Sequence, residues 1–164
     1  MTLDELNKLS IMEARAAFEL CCGARRWIDG MLMRKPYFDA EDLQTAGREI
    51  WELLNPEDWK EAFTHHPRIG DIKILRAKWA SDEQSGAAGA SEETIQSLKK
   101  LNDEYFDMFG YIFIVCATGK PADEMLAILK SRLVHDADEE FKIAASEHAK
   151  ITALRLEKLI KEEK

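Results

Sequence analysis

The stretch DEEFKIAASEHAKITALRLEKLI, Asp138 to Ile160, reads as one long amphipathic helix. At 100° per residue, Phe141, Ala144, Ala145, His148, Ile151, Thr152, Arg155 and Leu159 fall on one arc. Lys142, Lys150, Glu157 and Lys161 lie mostly on the other side. Arg155 thus stands inside the apolar arc, where an always-charged guanidinium is costly unless it is paired. Two partners suit it: a buried carboxylate such as Glu83, or an anionic or carbonyl-bearing ligand. His148, on the same arc, reads as a core histidine with its hydrogen bonds satisfied.

Upstream, the same periodicity predicts further helices over Ile11–Cys22, Ala24–Met33 and Asp39–Leu54. Asn55 before Pro56 is an N-cap followed by a first-turn proline, and it opens a short helix through Trp59 and Phe63. Pro67 disfavours helical geometry at the residue before it, so that helix ends near His66. Helices are also expected at Ile72–Trp79, Ser81–Ala88, Glu92–Met108 and Ala122–Leu133. Tyr111–Ala117 (YIFIVCA) has strand propensity, but a lone strand has no partner, so it reads as a buried extended or helical segment. The fold class is all-α: one compact domain over 1–164, of about eight or nine helices, with one extended apolar segment.

The composition agrees. The chain has 164 residues, 46% hydrophobic and 33% charged, enough for a core and too ordered a mixture for a disordered chain. Against 23 Lys and Arg stand 31 Asp and Glu, a formal charge of −8, which excludes a nucleic-acid partner needing a basic footprint. Cys21, Cys22 and Cys116 are an odd set without a metal-type spacing, so neither a disulfide framework nor a metal site is expected. The acidic start MTLDELNKLS is no signal peptide, the longest apolar run is too short for a membrane span, and LIKEEK is no peroxisomal address. A cytoplasmic protein is the expectation.

Two stretches carry candidate chemistry. In His65-His66-Pro67-Arg68-Ile69-Gly70, adjacent histidines project about 100° apart and cannot share one role. Pro67 makes His66 the better placed for proton transfer, while a helix-capping histidine is the plainer alternative. In Trp79-Ala80-Ser81-Asp82-Glu83-Gln84, Ser81 and Gln84 match a capping box. The same helix start could instead offer N–H groups to an anion or carbonyl, with Glu83 exchanging a proton.

Taken in order, several stretches resemble the bacterial type of 2-oxo-4-hydroxy-4-carboxy-5-ureidoimidazoline (OHCU) decarboxylase. They are Cys21-Cys22-Gly23 with Arg26-Trp27, Asp58-Trp59 with Ala62-Phe63, His66-Pro67-Arg68-Ile69-Gly70, Glu83-Gln84, Phe109 to Val115, and Ile151 with Leu154-Arg155-Leu156. The resemblance implies an all-α, cofactor-free enzyme that converts OHCU, an intermediate of urate breakdown, to (S)-allantoin and CO2. It further implies a homodimer acting on a small molecule. His66, Glu83 and Arg155 would be catalytic. Pro67, Ala80, Ser81 and Gln84 would border the substrate, and Phe113, Ile114, Val115, Cys116 and Ala117 would read its ring carbonyl and N–H groups through their backbone.

One departure stands out. The family commonly has serine directly after the tryptophan, where this chain has Ala80 followed by Ser81. Loss of one such hydrogen bond costs about 0.5–1.5 kcal/mol, a weakened enzyme and not a dead one. Two rival readings remain at this level: a decarboxylase or lyase acting on a related ureide, and an inactive all-helical interaction module.

Overall fold

Most of the helix starts among the described residues can be traced to a capping side chain, those at Arg25 and Ala122 excepted. The computed structural model describes residues 1–66 and 91–161, and among them every regular element is helical. In chain order these are α1 (Leu3–Lys8), α2 (Ile11–Glu19), α3 (Arg25–Arg34), α4 (Ala40–Leu53), α5 (Pro56–Thr64), α6 (Glu92–Phe109), α7 (Ala122–Arg132) and α8 (Ala137–Leu159). The all-α expectation holds. The helices expected at Ile72–Trp79 and Ser81–Ala88 lie outside the described residues.

Thr2, Ser10 and Asn55 each accept a hydrogen bond from the N–H three residues on, while the acid at that position caps their own N–H in return. Two orphan donors are satisfied at each of these helix starts. The Asn55 box, with Pro56 at the first helical position, is the predicted start of α5. Helix α1 was not expected: the periodicity reading began at Ile11 and passed over a helix of 6 residues. At the other end of α6, Gly110 takes φ 81°, the left-handed conformation in which glycine ends a helix at no steric cost.

The chain clusters into two compact units. The first holds residues 1–66 with 145–164. Within it α2 packs on α3 and α3 on α4, and tryptophan N–H groups tie the backbones together. Trp27 donates to the Gly47 carbonyl at 3.1 Å, Trp51 to that of Ala145 at 3.1 Å, and Trp59 to that of Trp51 at 3.0 Å. Each indole therefore buries its apolar area without stranding its one donor.

The second unit spans 67–144, where α6 packs on α7. Ile95, Leu98, Tyr105, Val115, Met125 and Leu129 form its buried core. Residues 112–117 have neither helix nor strand, so of the two readings of YIFIVCA, extended or helical, the helical one falls away, and within it Ile114 and Val115 are buried. Helix α8 contributes residues to both units, and the predicted arc is its covered face. Ala144, Ala145, His148 and Thr152 are buried while Lys142, Lys150 and Glu157 are exposed.

Candidate active site

In the first unit the two adjacent histidines at the end of α5 diverge as the sequence predicts. His65 closes the helix, its N–H reaching the carbonyls of Ala62 and Phe63. Its Nδ1 lies 2.9 Å from the Glu61 carbonyl. Glu61 is itself engaged, accepting from the Arg25 N–H at 2.7 Å and from Arg25 Nε at 3.2 Å. Gly23 explains how this corner closes: a Cβ there would sit 2.3 Å from the His65 ring, so only glycine lets the ring pack on the backbone after Cys21-Cys22.

His66 turns elsewhere. Its Nδ1 is 3.5 Å from Nη2 of Arg155, and the Nη1 of that arginine is 3.5 Å from the Cys21 carbonyl. An arginine donates and never accepts, so Nδ1 of His66 accepts and the ring proton sits on Nε2. Burial, then the positive charge of Arg155, then His65 push the His66 pKa down to about 4. The ring is therefore neutral at ordinary pH. In that form it donates one N–H bond to an oxygen, while its basic nitrogen is already occupied by the guanidinium. The roles open to this histidine thus narrow to hydrogen-bond donor in preference to general base.

Arg155 stands on the α8 arc where the sequence places it. It is half-buried, and among the described residues its contacts are a carbonyl and a neutral imidazole, with no carboxylate. Cys21 and Cys22 have no thiolate to offer, since burial raises their pKa to about 11 and about 12. Cys21 serves this corner through its carbonyl.

His148 departs from expectation. It is buried, and its Nδ1 is 3.3 Å from the Thr152 hydroxyl, yet its Nε2 has no hydrogen-bond partner among the described residues. A histidine with both nitrogens satisfied was expected. The ring instead spends its surroundings on aromatic contacts, stacked on Trp51 and edge-on to His66.

The second unit holds Phe113, Ile114, Val115, Cys116 and Ala117, with Ile114 and Val115 buried. What fixes them was missed in the sequence. Arg132, 3% exposed, donates to the Ile114 carbonyl and lies over the Phe113 ring at 4.7 Å. The same guanidinium pairs with fully buried Glu140 at 2.5 Å, and Tyr105 donates to that carboxylate at 2.6 Å. His135 Nδ1 lies 3.1 Å from its other oxygen. The available signal was Glu140 standing four residues before Ala144 on the buried arc.

Pro67, Ala80, Ser81, Glu83 and Gln84 lie outside the described residues. Among those described, no group of three or more His, Cys, Asp or Glu side chains could hold a metal ion. None of the described helices is long and apolar enough to cross a membrane.

A neutral histidine thus meets an arginine that has no carboxylate partner among the described residues. The family model for OHCU decarboxylase matches residues 7–157. This chain belongs to the OHCU decarboxylase family. The matched stretch covers both units. A relative, the uric acid degradation bifunctional protein TTL of Arabidopsis thaliana, is 40% identical over 87% of this chain. The chain spans only 46% of that protein's length. The 2-oxo-4-hydroxy-4-carboxy-5-ureidoimidazoline decarboxylase of Haloferax volcanii is 23% identical over 95% of this chain and 94% of its own. A crystal structure of OHCU decarboxylase in the presence of (S)-allantoin superposes with a TM-score of 0.74. That chain is 33% identical, over 87% of this chain and 96% of its own.

Proposed function

We propose that this chain decarboxylates OHCU to (S)-allantoin and CO2 in urate breakdown, without a cofactor. The observation that carries the reading is the His66–Arg155 pair, a neutral imidazole and a cation with no carboxylate partner among the described residues, in a chain of this family. The C–C bond to the carboxylate breaks and its electron pair is delocalised into the adjacent ring C=N. CO2 leaves and the ring nitrogen takes up a proton; the hydroxyl then releases its proton to become the ring carbonyl as a proton is delivered to one face of the adjacent carbon, so that one proton is taken up overall.

Each group has a task in that sequence. His66 donates Nε2–H to the substrate hydroxyl as charge builds on the carbon bearing it. Arg155 faces the ring or ureido oxygen. Gripping the departing carboxylate would stabilise the ground state more than the transition state and oppose catalysis. Glu83 steers or supplies the proton, while Gln84, Pro67 and Ser81, with Ala80 in the serine position, border the ligand. The backbone of Phe113 to Ala117 reads its ring carbonyl and N–H groups, a role helped by the grip of Arg132 on the Ile114 carbonyl.

A cytoplasmic location and a homodimer belong to the same reading. The first is supported by three free cysteines and the second by exposed apolar side chains such as Met33, Leu53 and Phe38. Sedimentation at micromolar concentration tests the dimer. The activity is tested by coupling the purified protein to a urate-oxidising system and following allantoin by circular dichroism. A single (S)-enantiomer formed faster than the spontaneous background supports the assignment, and racemic product at the background rate refutes it.

A further inference from the structure

His148 is buried where the chemistry is proposed, yet no step above uses it. Its ring is clamped by two neighbours. Trp51 stacks on one face, centroids 4.6 Å apart and planes within 11°, and Thr152 holds Nδ1 at 3.3 Å. Those contacts leave the ring little rotational freedom. The same ring meets His66 edge-on, centroids 4.6 Å apart at 87°. Among the described residues the His66 ring has one long polar contact, the 3.5 Å approach of Arg155, which by itself defines its plane poorly.

We propose that His148 is a positioning residue for His66: its immobilised ring sets the plane of the His66 imidazole and so keeps Nδ1 on Arg155 and the proton on Nε2. The inference rests on reading His66 as the hydrogen-bond donor of the decarboxylation. Burial and the neighbouring His66 and Arg155 hold the pKa of His148 at about 3, so it faces His66 as an uncharged ring and adds no competing cation. That Nε2 has no partner among the described residues is in keeping with this, because the contact that matters is the ring and not a hydrogen bond.

The test compares His148→Leu, His148→Phe and His148→Gln with wild type. The Leu variant keeps an apolar side chain but loses the flat edge. It should lower kcat at least about tenfold with KM changed less than about threefold, since misorientation of a reacting group costs rate more than affinity. The Phe variant keeps the stack and the edge and should bring kcat back to within about threefold of wild type. Full kcat in a folded Leu variant overturns the proposal, as does failure of Phe where Gln succeeds, which would make the nitrogens the working atoms.

A second measurement does not depend on activity. Long-range 15N correlation of the histidine rings should show His66 as a single Nε2–H tautomer in wild type and Phe, and as a tautomer mixture in Leu. A wild type with no decarboxylation but this pattern would sink the assigned reaction and leave the positioning intact. An unaltered His66 tautomer in the Leu variant would sink the positioning alone.

Discussion

At the scale of single residues, the working form of His66 follows from an asymmetry of its neighbours. The guanidinium of Arg155 can only donate, so it occupies the basic nitrogen and repels a second positive charge. Replacing His66 with Asn keeps a polar group but shifts its reach, and kcat for OHCU decarboxylation should fall by about 10²–10⁴. The pH profile offers a sharper reading. With its pKa pushed down to about 4, His66 is neutral throughout the range where a free histidine, at 6.5, would titrate. The histidine should therefore put no limb into log kcat near 6.5, and a fall should set in only as the pH approaches 4. An acid limb centred near 6.5, removed in His66→Asn, would contradict the assignment. Arg155→Lys keeps the charge but loses the planar fork. It should depress kcat by more than it raises KM, and a change confined to KM would place Arg155 on the ground-state carboxylate instead.

At the scale of elements, the connecting segment after α6 depends on a charge pair sealed in the second unit. Removing one partner of a buried pair strands the other charge, whereas removing both with apolar groups is often neutral. Arg132→Met should thus destabilise the protein by about 3–5 kcal/mol in urea unfolding, and Arg132→Met with Glu140→Leu should recover much of that loss. The double variant would still lack the donor to the Ile114 carbonyl, so it should bind substrate more weakly than wild type even where it folds. These same elements show what the sequence could reveal. Helices α2 to α8 were legible because each spans enough turns for periodicity or a capping signal to register. Helix α1 was lost because 6 residues give under two turns, although Thr2 and Glu5 already spelled its capping box. Arg155 was legible as a lone charge on an apolar arc. Glu140 stood on the same arc but follows Asp138 and Glu139, where acids ordinarily serve the helix dipole in water. Its partner Arg132 sits 8 residues away at a helix end, and no periodicity connects the two.

At the scale of the whole molecule, two neutral histidines, one half-buried and one buried, make stability depend on pH in a defined window. His66 is held at about 4 and His148 at about 3 in the folded protein, against 6.5 for an unperturbed ring. Between those values the unfolded chain binds more protons than the folded one, so acid favours unfolding. Their contribution is complete above 6.5 and is lost as the pH falls from 6.5 through 4 toward 3. Carboxylates act in the same direction but lower. Glu61, lowered from 4.5 by the Arg25 N–H and by partial pairing with that side chain, gives up its share only below 4.5. The interval from 6.5 to 4.5 therefore belongs mainly to the histidines, and within it stability should decline smoothly as pH drops. For fully buried His148 the slope is about 1 kcal/mol per pH unit, the linkage value for one proton. His148→Phe removes that proton site while keeping the stack on Trp51. Urea unfolding of wild type and this variant at pH 7.5, 6 and 5 separates the effects. The variant should match or exceed wild type at neutral pH, where it also sheds a ring nitrogen with no partner among the described residues, and the gap should widen in its favour as the pH falls. Parallel curves would show that His148 takes up its proton within the folded state, and would place it in contact with water.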